Sequence, residues 1–253
     1  MFKHAIVRRP CRQMVHGLTS ASLGKPHYDT AVIQHDAYID ALLECGLGVT
    51  AVDADSKLPD STFIEDVALC TPHCAIIMRP GAKSRREETD GIKEILSEWY
   101  ENIEKIVEPG TVEAGDIMMV GSTYYIGKSK RTNDIGTNQL IKILEKYELT
   151  GIKVEMHDVL HLKTGVAYLE NNTMLATHSF IRDPLFKDIQ KIRVEKEEAY
   201  SANSVWINGT VLTPKGYPTS KKRIEKAGYK VIELDVSEFQ KLDGGLSCLS
   251  LRF

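Results

Sequence analysis

Apolar positions along this chain come in short runs separated by turn residues, and the order of the runs repeats. Phe63 to Leu69 and Ala75 to Met78 flank a turn containing Pro72. Ile92, Ile95, Leu96 and Trp99 then share a helical face, and the strand-like run Lys105 to Glu108 follows. The order returns with Asp116 to Val120, a turn at Gly121, and Tyr124 to Ile126. A helix carrying Leu140, Ile141, Leu144 and Tyr147 and a strand from Lys153 to Met156 complete that copy. In the next copy Val166 to Leu169 and Met174 to Thr177 bracket Asn171 and Asn172, which tolerate the positive φ of a tight hairpin. A short helix after Pro184 and an extended run near Ile192 follow. Last, Ser204 to Ile207 and Thr210 to Leu212 bracket Asn208-Gly209, a strong hairpin signal. The helix from Ser220 stops at Gly228, which suits a left-handed position just past a helix end, and Tyr229 to Leu234 forms the closing strand.

These are four copies of strand, strand, helix, strand. The two ends of the sequence supply a fifth. Leu246 to Arg252 reads as one strand, Lys3 to Arg8 as its partner, and the helix Ala31 to Cys45 and strand Val49 to Val52 finish the unit. A turn-to-turn spacing of about 40 to 50 residues is that of radial arrays and solenoids. An array whose last strand pairs with its first closes into a ring and hides its edges. The expectation is an α/β fold: a five-bladed propeller of ββαβ units in one domain over residues 1–253, closed by pairing of the N- and C-terminal strands. An ordinary α/β sandwich is the competing arrangement, and the missing turn between the terminal strands favours closure.

Composition narrows the function. The formal net charge of -3 gives no basic footprint, so neither nucleic acid nor an anionic membrane is an expected partner. No apolar run approaches the length of a membrane span. The opening M-F-K-H-A-I-V-R-R-P places arginines where a signal peptide needs an apolar centre, which points to a cytoplasmic protein. Five cysteines (Cys11, Cys45, Cys70, Cys74 and Cys248) at irregular spacing make no disulfide framework and fit a reducing compartment. Cys70 and Cys74 loosely resemble a metal clip, but a zinc site takes about four ligands and no second pair is near. They read as small core residues at a hairpin, and no metal or cofactor is expected.

Chemistry-bearing residues fall at matching places in the repeats, near the start of each first strand. Equivalent positions in a ring of repeats face one central space. Those positions hold Glu65 and Asp66, Glu113 and Asp116, His161, Asn203, and Cys248. A free thiol with a pKa of about 8.5 needs help to become a thiolate. A histidine can move protons beside it, and Glu113 can orient the histidine ring. Further carboxylates suit a planar cation, because the N–H fork of a guanidinium matches a carboxylate and its charge lowers a nearby thiol pKa. The set points to attack on a guanidinium carbon. Asp116 reads as a turn cap and is left out of the catalytic set.

Several segments carry a family resemblance: F-I-E-D from Phe63, R-P-G-A-K-S-R-R-E-E from Arg79, G-T-V-E-A-G-D-I-M-M-V-G from Gly110 and K-R-T-N from Lys130. So do H-L-K-T-G from His161 and the closing D-G-G-L-S-C-L-S-L-R-F. In order and over essentially the whole chain, they resemble the dimethylarginine dimethylaminohydrolases, bacterial members above all. That family belongs to the guanidine-modifying superfamily of five-bladed α/β propellers. The resemblance implies Cys248 as nucleophile, His161 as general acid and base, and Glu113 as its partner. It implies that Glu65 and Asp66 hold the guanidinium with Phe63 against the carbon stem. It implies that Arg85 and Arg131 bind the substrate carboxylate, that Leu18 lies on a mobile lid, and that Asp60 and Leu242 sit near the substrate amino group. The implied substrate is a small guanidino amino acid, the implied product citrulline, and a homodimer is the implied assembly.

The nearest rivals share the fold: an arginine deiminase, an amidinotransferase, and a non-catalytic propeller acting as an interaction module. Arginine deiminases carry H-x-D where this chain reads His161-Leu162-Lys163, so the aspartate that would pair bare guanidinium nitrogens is absent. A complete cysteine, histidine and glutamate set argues against the interaction module.

Overall fold

A computed structural model describes residues 1–156 and 159–253. The described residues form fifteen short strands and six α-helices in a repeating order. The first unit contains β1 (His4–Arg8), α1 (Tyr28–Glu44) and β2 (Gly48–Val52). The second contains β3 (Ala68–Cys70), β4 (Ala75–Ile77), α2 (Ile92–Leu96) and β5 (Ile103–Lys105). The third contains β6 (Ile117–Val120), β7 (Thr123–Lys128), α3 (Asp134–Lys146) and β8 (Thr150–Glu155). The fourth contains β9 (Val166–Tyr168), β10 (Thr173–Ala176), α4 (His178–Ile181) and β11 (Gln190–Arg193). The fifth contains β12 (Val205–Ile207), β13 (Thr210–Pro214), α5 (Pro218–Lys226) and β14 (Lys230–Leu234). The chain then runs through α6 (Ser237–Gln240) to β15 (Leu251–Arg252).

Each unit yields one three-stranded mixed sheet: a hairpin, then a parallel strand reached through the helix. β4 pairs antiparallel with β3 and parallel with β5, and β7, β10 and β13 repeat this pattern with their own neighbours. In the first sheet β1 takes the central place, parallel to β2 and antiparallel to β15, with Ala5 opposite Arg252. The hairpin residues expected to adopt left-handed backbone do so: φ is 49° at Asn171, 54° at Asn172, 49° at Asn208 and 94° at Gly209. Gly228, at φ 95°, stops the chain after α5.

Apolar residues bury themselves between neighbouring units rather than within one. One cluster joins Ile6 and Leu251 to Ile64, Ala75 and Ile92. Others join Ile76 and Met78 to Tyr124 and Leu140, Met118 and Val154 to Val166 and Phe186, and Ala167 and Leu175 to Val211 and Ile224. The fifth cluster joins Ala5, Tyr38 and Leu42 of the first unit to Ile207, Leu212 and Leu249 near the end of the chain. Burying each of the larger aliphatic or Phe side chains among them contributes about 1.5–3 kcal/mol, so the units stabilise one another through these seams.

Three expectations shift. Leu246 to Arg252 is not one strand: Leu246–Leu249 is a 3-10 turn, and only Leu251–Arg252 joins the ladder. Ser247 N–H donates to Asn203 Oδ1 and Cys248 N–H to the Gly245 carbonyl, so neither amide is free for a neighbouring strand. The strand expected at Lys105 to Glu108 begins two residues earlier and ends at Lys105, because Ile103–Lys105 is the segment in register with the short partner strand Ala75–Ile77. The helix from Ile92 ends at Leu96, and Trp99 leaves the helical face to pack on His4 and Phe253.

Candidate active site

Each of the four hairpins, and β15 of the β15–β1 pair, is entered through a tight 3-10 turn, and the chemistry sits in or beside those turns. The turns span Ile64–Val67, Ala114–Asp116, Leu162–Thr164, Lys196–Ala202 and Leu246–Leu249. Glu65 and Asp66 lie inside the first, and Glu113 and His161 immediately precede the second and third. Asn203 follows the fourth, and Cys248 lies inside the last. A turn of this kind leaves its polar side chains local to the loop instead of alternating them across a sheet.

Glu113 has no exposed surface and holds His161, its Oε2 lying 2.9 Å from His161 Nε2. Its other oxygen accepts from the Gly81 and Ala82 amides and from Arg131 Nη1 at 3.3 Å. Burial would raise its pKa, but the hydrogen bond to His161 and the nearby positive charges win and hold the carboxyl below its ordinary range. Burial likewise disfavours a charged His161. The Glu113 hydrogen bond and the charges of Asp66 and Asp116 outweigh it and lift the imidazole to about 9.

Asp66 is buried and ionised, brought down to about 2 against the cost of burial by Arg85 and His161. Its Oδ2 accepts from Arg85 Nη1 at 2.7 Å and its Oδ1 from the Gly115 amide at 2.9 Å. A Cβ on Gly115 would stand 3.0 Å from Asp66 Oδ1 and 3.1 Å from His161 Cγ, so glycine lets these two groups approach. Cys248 is 9% exposed, and its thiol is pushed up to about 12 by burial first and then by Glu65 and Asp66. At neutral pH the resting site thus pairs a neutral thiol with a charged imidazole.

One narrow cleft gathers Leu18, Asp60, Phe63, Asp66, Arg85, Arg131, His161, Leu242 and Cys248. These are all but two of the expected site residues. Glu113 sits behind the cleft wall through His161. Glu65 faces away: its Oε1 takes Lys163 Nζ at 2.6 Å and Arg252 Nη2 at 2.9 Å, and it lines a separate cavity with both. Arg85 is also more constrained than expected. Nε and Nη2 bond Glu88, Nη2 also bonds the Phe63 carbonyl, and Nη1 bonds Asp66, so among the described residues one Nη1 hydrogen stays available. Among the described residues the Arg131 side chain bonds only Glu113, through Nη1, and it is 22% exposed. Asp60 Oδ1 accepts from the Leu18 amide at 2.9 Å, which fixes the Leu18 segment over the cleft. Ser20 Oγ, two residues on, donates to Asp243 at 2.9 Å.

Residues left out of the expected set also shape the site. Asp116, wholly buried, accepts from the Leu162 amide at 3.1 Å and from Ser129 Oγ at 2.6 Å, tying the His161 turn to the Arg131 loop. Leu160, Asp243 and Gly244 line the cleft, and Glu88 is the main partner of Arg85. The i, i+3 spacing of Arg85 and Glu88 in S-R-R-E-E was the available signal for that pair. Asp66, Glu113 and His161 offer ligand atoms within 4.8 Å of one another. A cation there would displace the His161–Glu113 bond and face the Arg85 guanidinium, so the arrangement suits proton handling better. Cys74 is buried and Cys70 half-buried at their hairpin, Cys74 packing among apolar neighbours with Ile76 and Tyr124. Among the described residues no helix is long and apolar enough to cross a membrane.

Five mixed three-stranded sheets and a cleft joining a thiol, an imidazole held by a carboxylate, and two arginines place this chain in the class of α/β proteins built to handle a polar, charged small molecule. Residues 20–202 match the family model described as N,N dimethylarginine dimethylhydrolase, eukaryotic. A dimethylarginine dimethylaminohydrolase of Pseudomonas aeruginosa is 54% identical across the whole of both chains, and one of Streptomyces coelicolor is 34% identical over 99% of this chain and 96% of its own. A solved structure of the Pseudomonas aeruginosa protein, a cysteine-to-serine mutant complexed with citrulline, superposes over the whole of both chains with a TM-score of 0.99 at 53% identity. The chain belongs to the dimethylarginine dimethylaminohydrolase family.

Proposed function

We propose that this protein hydrolyses Nω-methylated arginines, asymmetric dimethylarginine and monomethylarginine, to citrulline and the corresponding methylamine. The observation that carries the reading is the charged His161, fixed by Glu113, in one cleft with Cys248 and the ionised Asp66. The relatives named for this activity, one of them solved with citrulline, support it. The fold is read as a single five-bladed propeller domain over residues 1–253. The β1–β15 pairing and the apolar cluster shared by the first and fifth units support closure of its ring.

In this mechanism Asp66 receives the guanidinium, Phe63 flanks the stem, and the arriving positive charge lowers the Cys248 pKa so that the thiol gives its proton to water. The thiolate sulfur attacks the guanidinium carbon. His161 donates its proton to the departing dimethylamine nitrogen as the C–N bond breaks, since an amine leaves poorly as an anion. A planar thiouronium on Cys248 remains. Neutral His161 takes a proton from water, the hydroxide adds to the same carbon, and the C–S bond breaks as the added hydroxyl gives its proton to solvent, releasing citrulline and regenerating the thiolate. Arg131, with more free donors, carries the substrate carboxylate. Arg85 contributes its remaining hydrogen and holds Asp66. Glu65 acts from behind, its charge balanced by Lys163 and Arg252.

The second reading, an arginine deiminase, is disfavoured by Lys163, which turns to Glu65 and lines the other cavity, leaving no acceptor at that position. An unpaired buried donor costs about 1–3 kcal/mol, borne by arginine and not by a methylated nitrogen. Citrulline release is to be measured from arginine, monomethylarginine and dimethylarginine at subsaturating concentration. The expected kcat/KM for dimethylarginine exceeds that for arginine at least about tenfold, and Cys248→Ser abolishes both. Equal rates from arginine and dimethylarginine would restore the deiminase.

A further inference from the structure

A cleft of about 450 Å3 opens between the loop that follows β2 and the turn at Lys83–Thr89, and shares no lining residue with the cleft that holds Cys248. Arg8, the last residue of β1, forms part of its wall. The residue is 6% exposed, and its buried Nε finds no hydrogen-bond partner among the described residues. The backbone cannot easily carry it elsewhere: Arg8 is locked opposite Val52 in the β1–β2 ladder, and its carbonyl accepts from Thr62 Oγ1. A largely buried guanidinium with no anionic partner is costly, so the position calls for an anionic oxygen, which meets it at the terminal nitrogens because Nε has no surface open to the cleft.

The rim has the opposite sign. Asp53, Asp55, Glu87 and Asp90 line the same cleft, with Lys57 as the only other cation. Four carboxylates against two cations repel a simple anion such as phosphate. A bare metal ion would answer the rim and leave Arg8 unmet. A ligand that satisfies both carries a carboxylate at one end and more than one positive charge around it, with an apolar stem to lie along the buried Leu58. We propose that this cleft is a second binding site, taking a basic α-amino acid with its carboxylate on Arg8 and its ammonium and side-chain cation on Asp53, Asp55, Glu87 and Asp90. The inference does not rest on the chemistry assigned to Cys248.

L-Lysine is the probe, because it lacks the guanidinium carbon that Cys248 would attack. Titration calorimetry of the full chain is expected to show saturable binding of one lysine that Glu87→Gln and Asp53→Asn each weaken at least about tenfold and Arg131→Ala leaves unchanged. Both substituted carboxylates are exposed, so these variants keep the fold if Arg8→Gln does not. Norleucine, without the side-chain cation, and cadaverine, without the carboxylate, are expected to bind at least about tenfold more weakly. Three results would overturn the proposal: no saturable heat with millimolar lysine, cadaverine binding as tightly as lysine, or binding lost in Arg131→Ala and kept in Glu87→Gln.

Discussion

Asn203 grips Ser247 from both sides: its Oδ1 accepts from the Ser247 amide at 2.9 Å and its Nδ2 donates to Ser247 Oγ at 3.0 Å. The same Nδ2 reaches the Lys163 carbonyl at 3.1 Å, so one buried amide ties the turn of Cys248 to the turn of His161. Asn203→Ala is expected to lower kcat about tenfold or more while KM changes little, since the loss falls on placement of the reacting groups and not on substrate contacts. Steady-state kinetics check this. A folded variant with unchanged kcat would remove Asn203 from the site.

The two arginines of the cleft are expected to separate. Arg131→Ala raises KM for methylarginine far more than it lowers kcat, because its donors are free for the carboxylate. Arg85→Ala strands Asp66 and the buried Glu88, whose carboxyl burial already pushes up to about 7. Breaking a buried pair on one side costs about 3–5 kcal/mol. Denaturant unfolding should show that loss for Arg85→Ala and little change for Arg131→Ala.

In the proposed mechanism His161 must carry its proton to release the amine, so activity is expected to fall as pH rises through about 9. Glu113→Gln removes the charge that raises the imidazole, and the alkaline limb of kcat/KM is expected to move to lower pH. An unmoved limb in Glu113→Gln would separate that limb from His161.

His35 on α1 is fully buried, neither ring nitrogen has a partner among the described residues, and burial depresses its pKa to about 4. Its folded value lies below the unfolded value, so the unfolded chain binds the extra proton. Stability from this group is present above about pH 6.5 and drains away as pH falls toward 4. His35→Leu is therefore expected to raise Tm more at pH 5 than at pH 8. A gain that is equal at both pH values would dismiss the titration as the cause.

The hairpins were legible because Asn171, Asn172, Asn208 and Gly209 are chemically fitted to the left-handed backbone they adopt. The repeat was legible because each copy carries the same punctuation. The 3-10 turns at their entrances were not, since Ile64–Val67 and Leu246–Leu249 run without a turn residue into the strands that follow and read as part of them. Only their amide partners, brought in from distant segments, decide otherwise. Among the site residues, Cys248, His161 and Glu113 stood out by position in the repeat. The different lots of Glu65 and Asp66, adjacent in sequence, depend on Lys163 and Arg252 for one and Arg85 for the other. No local pattern encodes partners so far away.

The register of β1 with β15 sets Ala5 opposite Arg252, a pairing between nearly opposite ends of the sequence. During synthesis, the first strand can find β2 early but must keep its other edge open until the segment with Cys248 has emerged. Contacts of such sequence separation are slow to form because loop closure precedes any reward. The nascent polypeptide thus has its cleft without Cys248 and its first sheet with an exposed edge at the same time. On a stalled ribosome, chaperone engagement of that edge should cease, and reactivity of the Cys248 thiol begin, at the same point, when β15 docks.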